Sequence, residues 1–252
     1  MHLTEVLEQN ESIVTGGVTC EKGHSWNIEN SIIDLVYPPL KEKDRKWVAE
    51  YDKVANNYDE AVKGYDEWLQ VDMMKEREDL TQFLPNTGNI NILDVSVGTG
   101  ANFIALRNAV KDQVSRLRMH GLDVSHGMLE VARSKFEQVE LRVNLVKGNV
   151  LNIPFRSNYF DTVVHTGGLN TFSDKEKALE EMLRVAVDDG TVVLIDEGVS
   201  PKIRNEARGT AIIEENALFD TRPPLEHLPE KARDVEVDYI MNDTFYRIIF
   251  KK

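Results

Sequence analysis

The chain has 252 residues, of which 41% are hydrophobic, so it is long enough to bury the core of one large domain. Lysine and arginine total 30 against 43 aspartates and glutamates, and the net charge of −13 excludes a general attraction to DNA and disfavours RNA. The single cysteine, Cys20, excludes an intrachain disulfide. Together with an N-terminus that lacks a secretory pattern and with apolar runs too short for a membrane span, this predicts a cytoplasmic protein.

The first part of the chain divides into a β-rich segment and a helical region. Residues 1–40 alternate apolar and polar side chains between glycines, which predicts a few short antiparallel strands. Residues 41–84 place apolar side chains, such as Trp47 and Tyr51, at a spacing of three to four, which predicts lead-in helices.

From residue 90 onward, short apolar runs alternate with helical patterns, which is typical of a parallel sheet with helices on both faces. After an insertion at about 197–232, two alternating runs joined by MND predict an antiparallel hairpin at 235–250. The predicted fold is therefore α/β, with a doubly wound, mostly parallel, seven-stranded Rossmann-like sheet in residues 41–252 and a β-rich appendage before it. The first five predicted strands lie at 90–95, 118–124, 142–147, 159–165 and 190–196.

The stretch LDVSVGTG, residues 93–100, is the first candidate site. In an open α/β sheet, ligands bind beyond the carboxyl ends of the strands, and glycines let the backbone approach them. The spacing of Gly98 and Gly100 does not match the G-x-G-x-x-G pattern of dinucleotide sites. The carboxylate of Asp94 would also repel a pyrophosphate, whereas it suits a cationic amino acid.

This stretch and three later ones resemble the class I S-adenosylmethionine-dependent methyltransferases. LDVSVGTG resembles the first motif of that family, and GLDVSHGMLEVAR (121–133) resembles its second strand, which ends in an acid that holds the ribose. KGNVLNIPFRSNYFDTVVHTGGLN (147–170) resembles the stretch that faces the adenine, and ALEEMLRVAVDDGTVVLID (178–196) resembles the helix before the fifth strand. The resemblance begins at YDKVANNYD (51–59) and covers about four fifths of the chain.

The resemblance implies S-adenosyl-L-methionine as the cofactor, S-adenosyl-L-homocysteine as the product, and a small molecule as the methyl acceptor. Asp123 would accept hydrogen bonds from both ribose hydroxyls, and the alternative for this residue is a helix N-cap. The positions carried over as cofactor-binding are Tyr58, Asp94, Ser96, Gly98, Gly100, Asn102, Asp123, Val124, Met128, Asn149, Val150 and His165.

Two positions depart from the family pattern. Ser96 replaces the first glycine, which is tolerable if its φ is negative. Asn149 replaces the adenine-facing acid and keeps a carbonyl acceptor without the charge. Both changes predict weaker cofactor binding, so a non-catalytic regulatory protein that binds an adenosyl ligand is one alternative function.

The end of the fourth predicted strand would face the transferred methyl group. His165 is a candidate base and Asn170 a candidate for orienting the substrate, and the alternatives are a structural histidine and a helix-capping asparagine. The stretches IPFRSNYFD, GGLN and ALEEMLRV look closest to the branch that includes ubiquinone and menaquinone biosynthesis methyltransferases. That branch is too diverse to define the substrate. The resemblance also implies that the insertion at about 197–232, with the lead-in helices, forms a lid over the substrate pocket, to which Phe219 would add an apolar wall.

CEKGHSWNIENSIIDLVYP, residues 20–38, resembles the second half of a zinc ribbon that is fused to some methyltransferases, including ones that modify ribosomal RNA. Only Cys20 and His24 remain as ligands, and a structural zinc ion takes four. We therefore expect no metal. A methyltransferase that this segment guides to RNA or protein is the other alternative function, and the sequence assigns no oligomeric state.

Overall fold

The computed structural model describes residues 2–9 and 12–252, with side chains from residue 15 onward; residues 1, 10 and 11 of the predicted N-terminal segment lie outside it. One sheet of eleven strands runs through the described residues. The strands are β1 (His2–Gln9), β2 (Ser12–Thr19), β3 (Ser25–Glu29), β4 (Ile32–Asp34), β5 (Ile90–Val95), β6 (Leu117–Asp123), β7 (Val143–Lys147), β8 (Phe160–Thr166), β9 (Ala186–Glu197), β10 (Arg233–Ile240) and β11 (Phe245–Lys251).

Helices cover both faces of this sheet and the carboxyl ends of its strands. None of them, in the part of the chain that the structure describes, is long and apolar enough to cross a membrane. The α-helices are α1 (Glu42–Val54), α2 (Tyr58–Leu69), α3 (Met73–Glu78), α4 (Ala101–Val110), α5 (His126–Gln138), α6 (Lys175–Val185) and α7 (Ala207–Glu215). Short 3-10 helices lie at Ala55–Asn57, Asp79–Phe83, Lys111–Arg116, Val150–Asn152, Leu169–Thr171, Ala217–Asp220 and Leu225–His227.

The strand order is β1-β2-β3-β4-β7-β6-β5-β8-β9-β11-β10. β5, β6, β7, β8 and β9 pair in parallel, whereas β11 runs antiparallel to both β9 and β10. The chain moves outward from β5 first toward β7 and then toward β9, so the switch point lies at the carboxyl end of β5. The doubly wound sheet with a terminal antiparallel hairpin is therefore confirmed.

The N-terminal strands extend this sheet and do not stand apart as an appendage. β4 pairs in parallel with β7, with Ile33 opposite Val146, and β1 to β4 continue the sheet antiparallel to one another. The predicted seven-stranded sheet thus becomes one of eleven strands. The physical reason is that β7 would otherwise present an open edge of unpaired backbone groups, which β4 satisfies.

The central strands are buried on both faces, as the continuous apolar sequence of β5 predicts. Ile92 packs in the cluster that includes Phe103 of α4 and Leu129 of α5. Leu93, the next residue, packs in the opposite cluster with Leu179 of α6. α1, in contrast, buries none of its residues.

Candidate active site

The turn after β5 depends on glycine for its packing. Gly100 has a φ of +84°, and a Cβ at this position would lie 2.3 Å from the ring of Phe136 in α5. Only glycine therefore lets α5 approach the turn this closely. Gly98, with a φ of +53°, lines a cavity, whereas Gly100 lines neither of the two cavities described below. Gly100 thus supports the site by packing, and its predicted contact with the cofactor stays a prediction.

Ser96 does not meet the condition under which a serine fits this turn easily. Its φ is +64°, in the left-handed region. That conformation costs a non-glycine residue about 1–2 kcal/mol. Since Ser96 also lines both cavities, a residue with a strained backbone conformation lies where the family pattern has a glycine.

Two cavities meet at the carboxyl ends of β5 and β6, and both are lined by Asp44, Ser96, Asp123, Val124 and Phe172. The first has a volume of about 860 Å³, part of it at the open mouth, and the second about 420 Å³. Of the other residues predicted to bind the cofactor, the structure places Tyr58, Gly98, Asn102 and Met128 in the wall of the first cavity, and Asn149 and Val150 in the wall of the second.

Asp123, at the end of β6, has both carboxyl oxygens held by backbone. Oδ2 accepts a hydrogen bond from Gly98 N at 2.8 Å, and Oδ1 accepts one from Ser125 N at 2.9 Å. Burial raises the pKa of Asp123, and these hydrogen bonds oppose the rise. The N-cap of α5 is Ser125, whose Oγ accepts from Met128 N. The lone pairs that remain on Asp123 are therefore available to a ligand.

Asp94 acts through a neighbour and has no direct contact with either cavity. It is fully buried, and its Oδ2 accepts from Asn102 Nδ2 at 3.1 Å. Burial raises the pKa of Asp94 to about 8, opposed by the hydrogen bond from Asn102 and by the charge of Arg77. Asn102 lines the first cavity, and its own Oδ1 is buried without a hydrogen-bond partner in the described part of the chain. The predicted acid thus orients an amide acceptor in the cavity wall.

Arg77 of α3 is a candidate functional residue that the sequence analysis missed. It lines the first cavity, its Nε is buried without a hydrogen-bond partner, and no carboxylate pairs with it among the described residues. Burial lowers the pKa of Arg77, and the nearby Tyr58 and Asp94 oppose this effect. A buried cation without a partner is costly, so this guanidinium is placed to receive an anion. The charged stretch KERED around it looks like an exposed helix and gave no signal.

The two aspartates of YDKVANNYD fasten the lead-in helices to the site. Asp52 Oδ1 accepts from Ser125 Oγ at 2.6 Å and from Gly127 N at 3.0 Å, at the start of α5. Asp59 accepts from Thr99 Oγ1 at 2.6 Å and from Lys135 Nζ at 2.7 Å. Each aspartate therefore links a lead-in helix to an element that carries the cavity floor.

The two tyrosines of the same stretch line the first cavity, and their ring centroids lie 6.1 Å apart in an edge-to-face arrangement. Burial raises the pKa of Tyr58 to about 12 and also raises that of Tyr51. Both hydroxyls are therefore neutral near pH 7. They can exchange hydrogen bonds with a ligand, but neither is poised as a base.

The structure places His165 in the core, outside the walls of both cavities. The side chain is fully buried, Nδ1 lies 2.8 Å from the carbonyl oxygen of Val95, and burial lowers its pKa. His165 lines neither cavity, whereas Thr166, the next residue, lines the first. Because side chains alternate along β8, His165 takes a structural position. Neither its predicted role as a base nor its predicted contact with the cofactor enters the proposed function.

Asn170 is also committed to the fold. Its backbone N donates to Asp196 Oδ2 at 2.8 Å, and its Nδ2 donates to Glu197 O at 3.0 Å and to Thr221 Oγ1 at 2.9 Å. It lines neither cavity. Asn170 therefore joins the ends of β8 and β9 to the insertion, and its predicted contact with a substrate stays a prediction.

The insertion that the sequence predicts as a lid lies to one side. Residues 197–232 line neither cavity. Phe219, a predicted wall residue, is fully buried against Tyr65, Trp68 and Phe245. α1 and residues 166–172 cover the first cavity in its place.

In the N-terminal strands, Cys20 Sγ lies 3.5 Å from His24 Nδ1. Within the described ranges, no group of three or more His, Cys, Asp and Glu side chains is arranged to hold a metal ion. The metal-free reading of this segment stays a prediction.

Comparison with known proteins supports the resemblance that the motifs indicated. Residues 93–194 match the family model described as a methyltransferase domain. The chain is 29% identical over 156 residues to the ubiquinone/menaquinone biosynthesis C-methyltransferase UbiE of Campylobacter jejuni, which covers 62% of this chain and 65% of that protein. It is 37% identical over 124 residues to the demethylmenaquinone methyltransferase of a Geobacillus strain, which covers 49% of this chain and 52% of that protein.

The chain therefore spans about half to two thirds of the length of these relatives. A SAM-dependent methyltransferase from Aquifex aeolicus shares the fold, with a TM-score of 0.52 and 20% identity over 74% of this chain and 92% of that one. These findings confirm the methyltransferase resemblance and the fold that it implied.

Proposed function

We propose that this chain is a class I methyltransferase of the UbiE-like branch and that it transfers a methyl group from S-adenosylmethionine to a small molecule. The observation that carries the proposal is a pair of buried, unsatisfied polar atoms, Arg77 Nε and Asn102 Oδ1, in residues that line one cavity. The cofactor supplies a methyl group already activated on a sulfonium. The protein's task is therefore to align the donor and the acceptor and to exclude water.

The two unsatisfied atoms match the amino-acid end of this cofactor. An α-amino acid carries a carboxylate and an ammonium group close together. Arg77 offers a buried donor to the carboxylate, and Asn102 offers a buried acceptor to the ammonium, so one ligand satisfies both. A dinucleotide pyrophosphate carries only negative charge and would leave the acceptor of Asn102 unpaired.

The position of Asp123 orders the rest of the cofactor. Asp123 lines both cavities, whereas Arg77 and Asn102 line only the first. If Asp123 accepts the ribose hydroxyls, the amino acid extends into the first cavity and the base must extend into the second. The second cavity has a largely apolar wall, including Leu40, Val150 and Leu151, which suits the faces of a planar base.

The remainder of the first cavity is the place for the methyl acceptor. Trp47 and Tyr51 of α1 and Phe172 after β8 give it an aromatic wall. Such a wall excludes water and packs against a flat apolar ring. The relatives named for menaquinone and ubiquinone biosynthesis support an aromatic, quinone-related acceptor. In this proposal no side chain serves as the base, and the two tyrosine hydroxyls orient the acceptor.

The acidic charge of the chain supports a small-molecule acceptor over RNA, and its single cysteine supports a cytoplasmic location. A non-catalytic adenosyl-ligand binder is the second candidate, because Ser96, whose backbone φ is strained, lies in the walls of both cavities. The non-catalytic binder and the enzyme would bind the same adenosyl ligands, so only a turnover assay distinguishes them.

Titration calorimetry with S-adenosylmethionine, S-adenosylhomocysteine and NAD tests the proposal. We expect micromolar binding of both adenosyl ligands and no binding of NAD. Arg77→Met should weaken the adenosyl ligands by about tenfold or more, because it removes a hydrogen-bonded charge from the carboxylate. Binding of NAD in their place would overturn the proposal. Radiolabelled methyl transfer to demethylmenaquinone analogues then separates the enzyme from the non-catalytic binder.

A further inference from the structure

We propose that the N-terminal segment, residues 15–41, is a wall of the cavity that takes the base of the cofactor, and that Asn149 is an amide because it fastens this wall. The inference rests on the proposed function, since the base is assigned to the second cavity by the order of groups in S-adenosylmethionine. It gives the β-rich segment a role in binding that its position before the domain does not reveal.

The segment is attached to the sheet and to α5 by specific contacts. Leu35 N donates to Lys147 O at 2.8 Å, which continues the pairing of β4 with β7. Lys147 Nζ forms an ion pair with Asp34 Oδ2 at 2.8 Å. Asn30 Nδ2 donates to Glu130 Oε1 on α5 at 3.0 Å. These contacts hold the end of the segment beside the carboxyl end of β7, where the second cavity begins.

Asn149 joins the segment to the cavity. It is 4% exposed and lines the second cavity. Its Oδ1 accepts from Leu151 N at 3.0 Å, and its Nδ2 donates to Pro38 O at 3.2 Å. A carboxylate at this position could accept from Leu151 N but could not donate to Pro38 O, and it would place two acceptor oxygens against each other. The N-terminal segment therefore explains the departure of Asn149 from the family's acid.

Leu40 brings the segment to the ligand. Leu40 lines the second cavity together with Val150 and Leu151, and its carbonyl accepts from Arg45 Nη1 at 3.1 Å. Tyr37, only three residues earlier, is 66% exposed and lines neither cavity. The same loop thus offers one side chain to the base and one to solvent, which supplies a matched pair for an experiment.

The test compares Leu40→Ala and Asn149→Asp with the control Tyr37→Ala. Affinities are measured by calorimetry for S-adenosylhomocysteine and for 5′-methylthioadenosine, which shares the adenosine group and lacks the amino acid. We expect both variants to lose about three- to tenfold in affinity for both ligands, the scale of one hydrogen bond or part of an apolar wall. Tyr37→Ala should stay within about twofold of wild type, and Leu40→Met should recover most of the loss.

The outcomes separate the wall from the proposed function. Wild-type protein that binds neither ligand would refute the proposed function and the inference with it. If the wild type binds both ligands and Leu40→Ala binds them equally well, the N-terminal segment is not a wall of the base cavity, but the proposed function stands. A loss of affinity for S-adenosylhomocysteine alone would lead to the same conclusion. Arg77→Met is the opposite comparator, because it should weaken S-adenosylhomocysteine and spare 5′-methylthioadenosine. If Asn149→Asp fails to fold by circular dichroism, Leu40→Ala and its rescue by Leu40→Met decide the inference alone.

Discussion

The floor of the first cavity and its cover are held by different forces. The floor consists of the end of β5, the turn and the start of α4 that follow it, and the end of β6. Within it, Asp94 and Asn102 are buried and joined to each other. The cover is α1, which buries no residue and leaves Trp47 36% exposed and Val54 45% exposed. The floor is thus part of the core, whereas the cover lies on the surface of the molecule.

Polar contacts near the two ends of α1 replace apolar burial in the cover. Asp44 accepts from Ser173 N at 3.1 Å and from Ser173 Oγ at 2.7 Å. Asp52, two turns along the helix, accepts from Ser125 and Gly127 of the floor. Elements with little apolar burial open locally at low free energy. We therefore expect a floor that is preformed for the ligand and a cover that opens more easily than the floor.

Asp94→Asn is the sharpest test of the floor. The pKa of Asp94 is raised by burial from 3.8 to about 8, so between these values the native state binds more protons than the unfolded state. The stability of the wild type should therefore fall as pH rises from 4 to 8 through this group, by about 2–4 kcal/mol. The amide removes the titration, so the variant's stability should depend less on pH.

Urea unfolding at pH 5 and pH 8 measures this difference. Glu226→Gln, at an exposed carboxyl, should follow the wild type at both pH values. Parallel pH profiles for wild type and Asp94→Asn would show that the carboxyl of Asp94 does not make the free energy of unfolding depend on pH.

Asp123→Ala should cost about 1.5–3 kcal/mol of cofactor affinity, the scale of hydrogen bonds to a charged group. The physical reason is that the variant lacks the two carboxyl oxygens that would accept hydrogen bonds from the ribose hydroxyls. In the wild type, Gly98 N and Ser125 N hold these oxygens in place. Calorimetry with S-adenosylhomocysteine measures the loss, with Asp112→Ala, which lines neither cavity, as the control. Unchanged affinity in a folded Asp123→Ala variant would show that the carboxyl of Asp123 does not bind the ribose.

The sequence predicts the floor well because its signals are local. The strand at 90–95, the turn with Gly98, and Asp123 at the end of the next strand follow one another within a single strand-helix-strand unit. β5 has the predicted limits, and β6 differs from its prediction by one residue at each end. Short-range order and apolar runs are enough to place such a unit.

The cover and the N-terminal wall depend on contacts between distant parts of the chain, which no local pattern encodes. Asp52 of the cover meets Ser125 across 73 positions, and Asp34 of the wall meets Lys147 across 113. His165 shows a second limit, because a shift of one residue along a strand decides which face a side chain takes. The motif placed the end of β8 within one residue, but it could not tell that Thr166 lines the cavity and His165 does not.

Asp52→Ala tests whether polar contacts hold the cover. The change removes the acceptor for Ser125 Oγ and Gly127 N, which should loosen α1 by about 1 kcal/mol. Hydrogen exchange followed by mass spectrometry should then show several-fold faster exchange in α1 and no change in β5. Lys53→Ala, at the next residue and paired only on the surface with Glu50, is the matched control. Equal exchange of α1 in both variants would mean that other contacts hold the cover.

Ser96→Gly should have the smallest effect on stability and the opposite sign. The change relieves the backbone strain of a residue that lines both cavities. The left-handed φ of +64° costs serine more than glycine, while glycine gains entropy in the unfolded chain. The two effects leave a net stabilisation of about 0.5–1 kcal/mol, seen as a rise in Tm. Glu140→Gly, at a φ of +53° after α5, should gain similarly without changing the affinity for S-adenosylhomocysteine. A fall in Tm for Ser96→Gly alone would mean that the serine side chain supports the turn, and that the departure from the glycine pattern stabilises this protein.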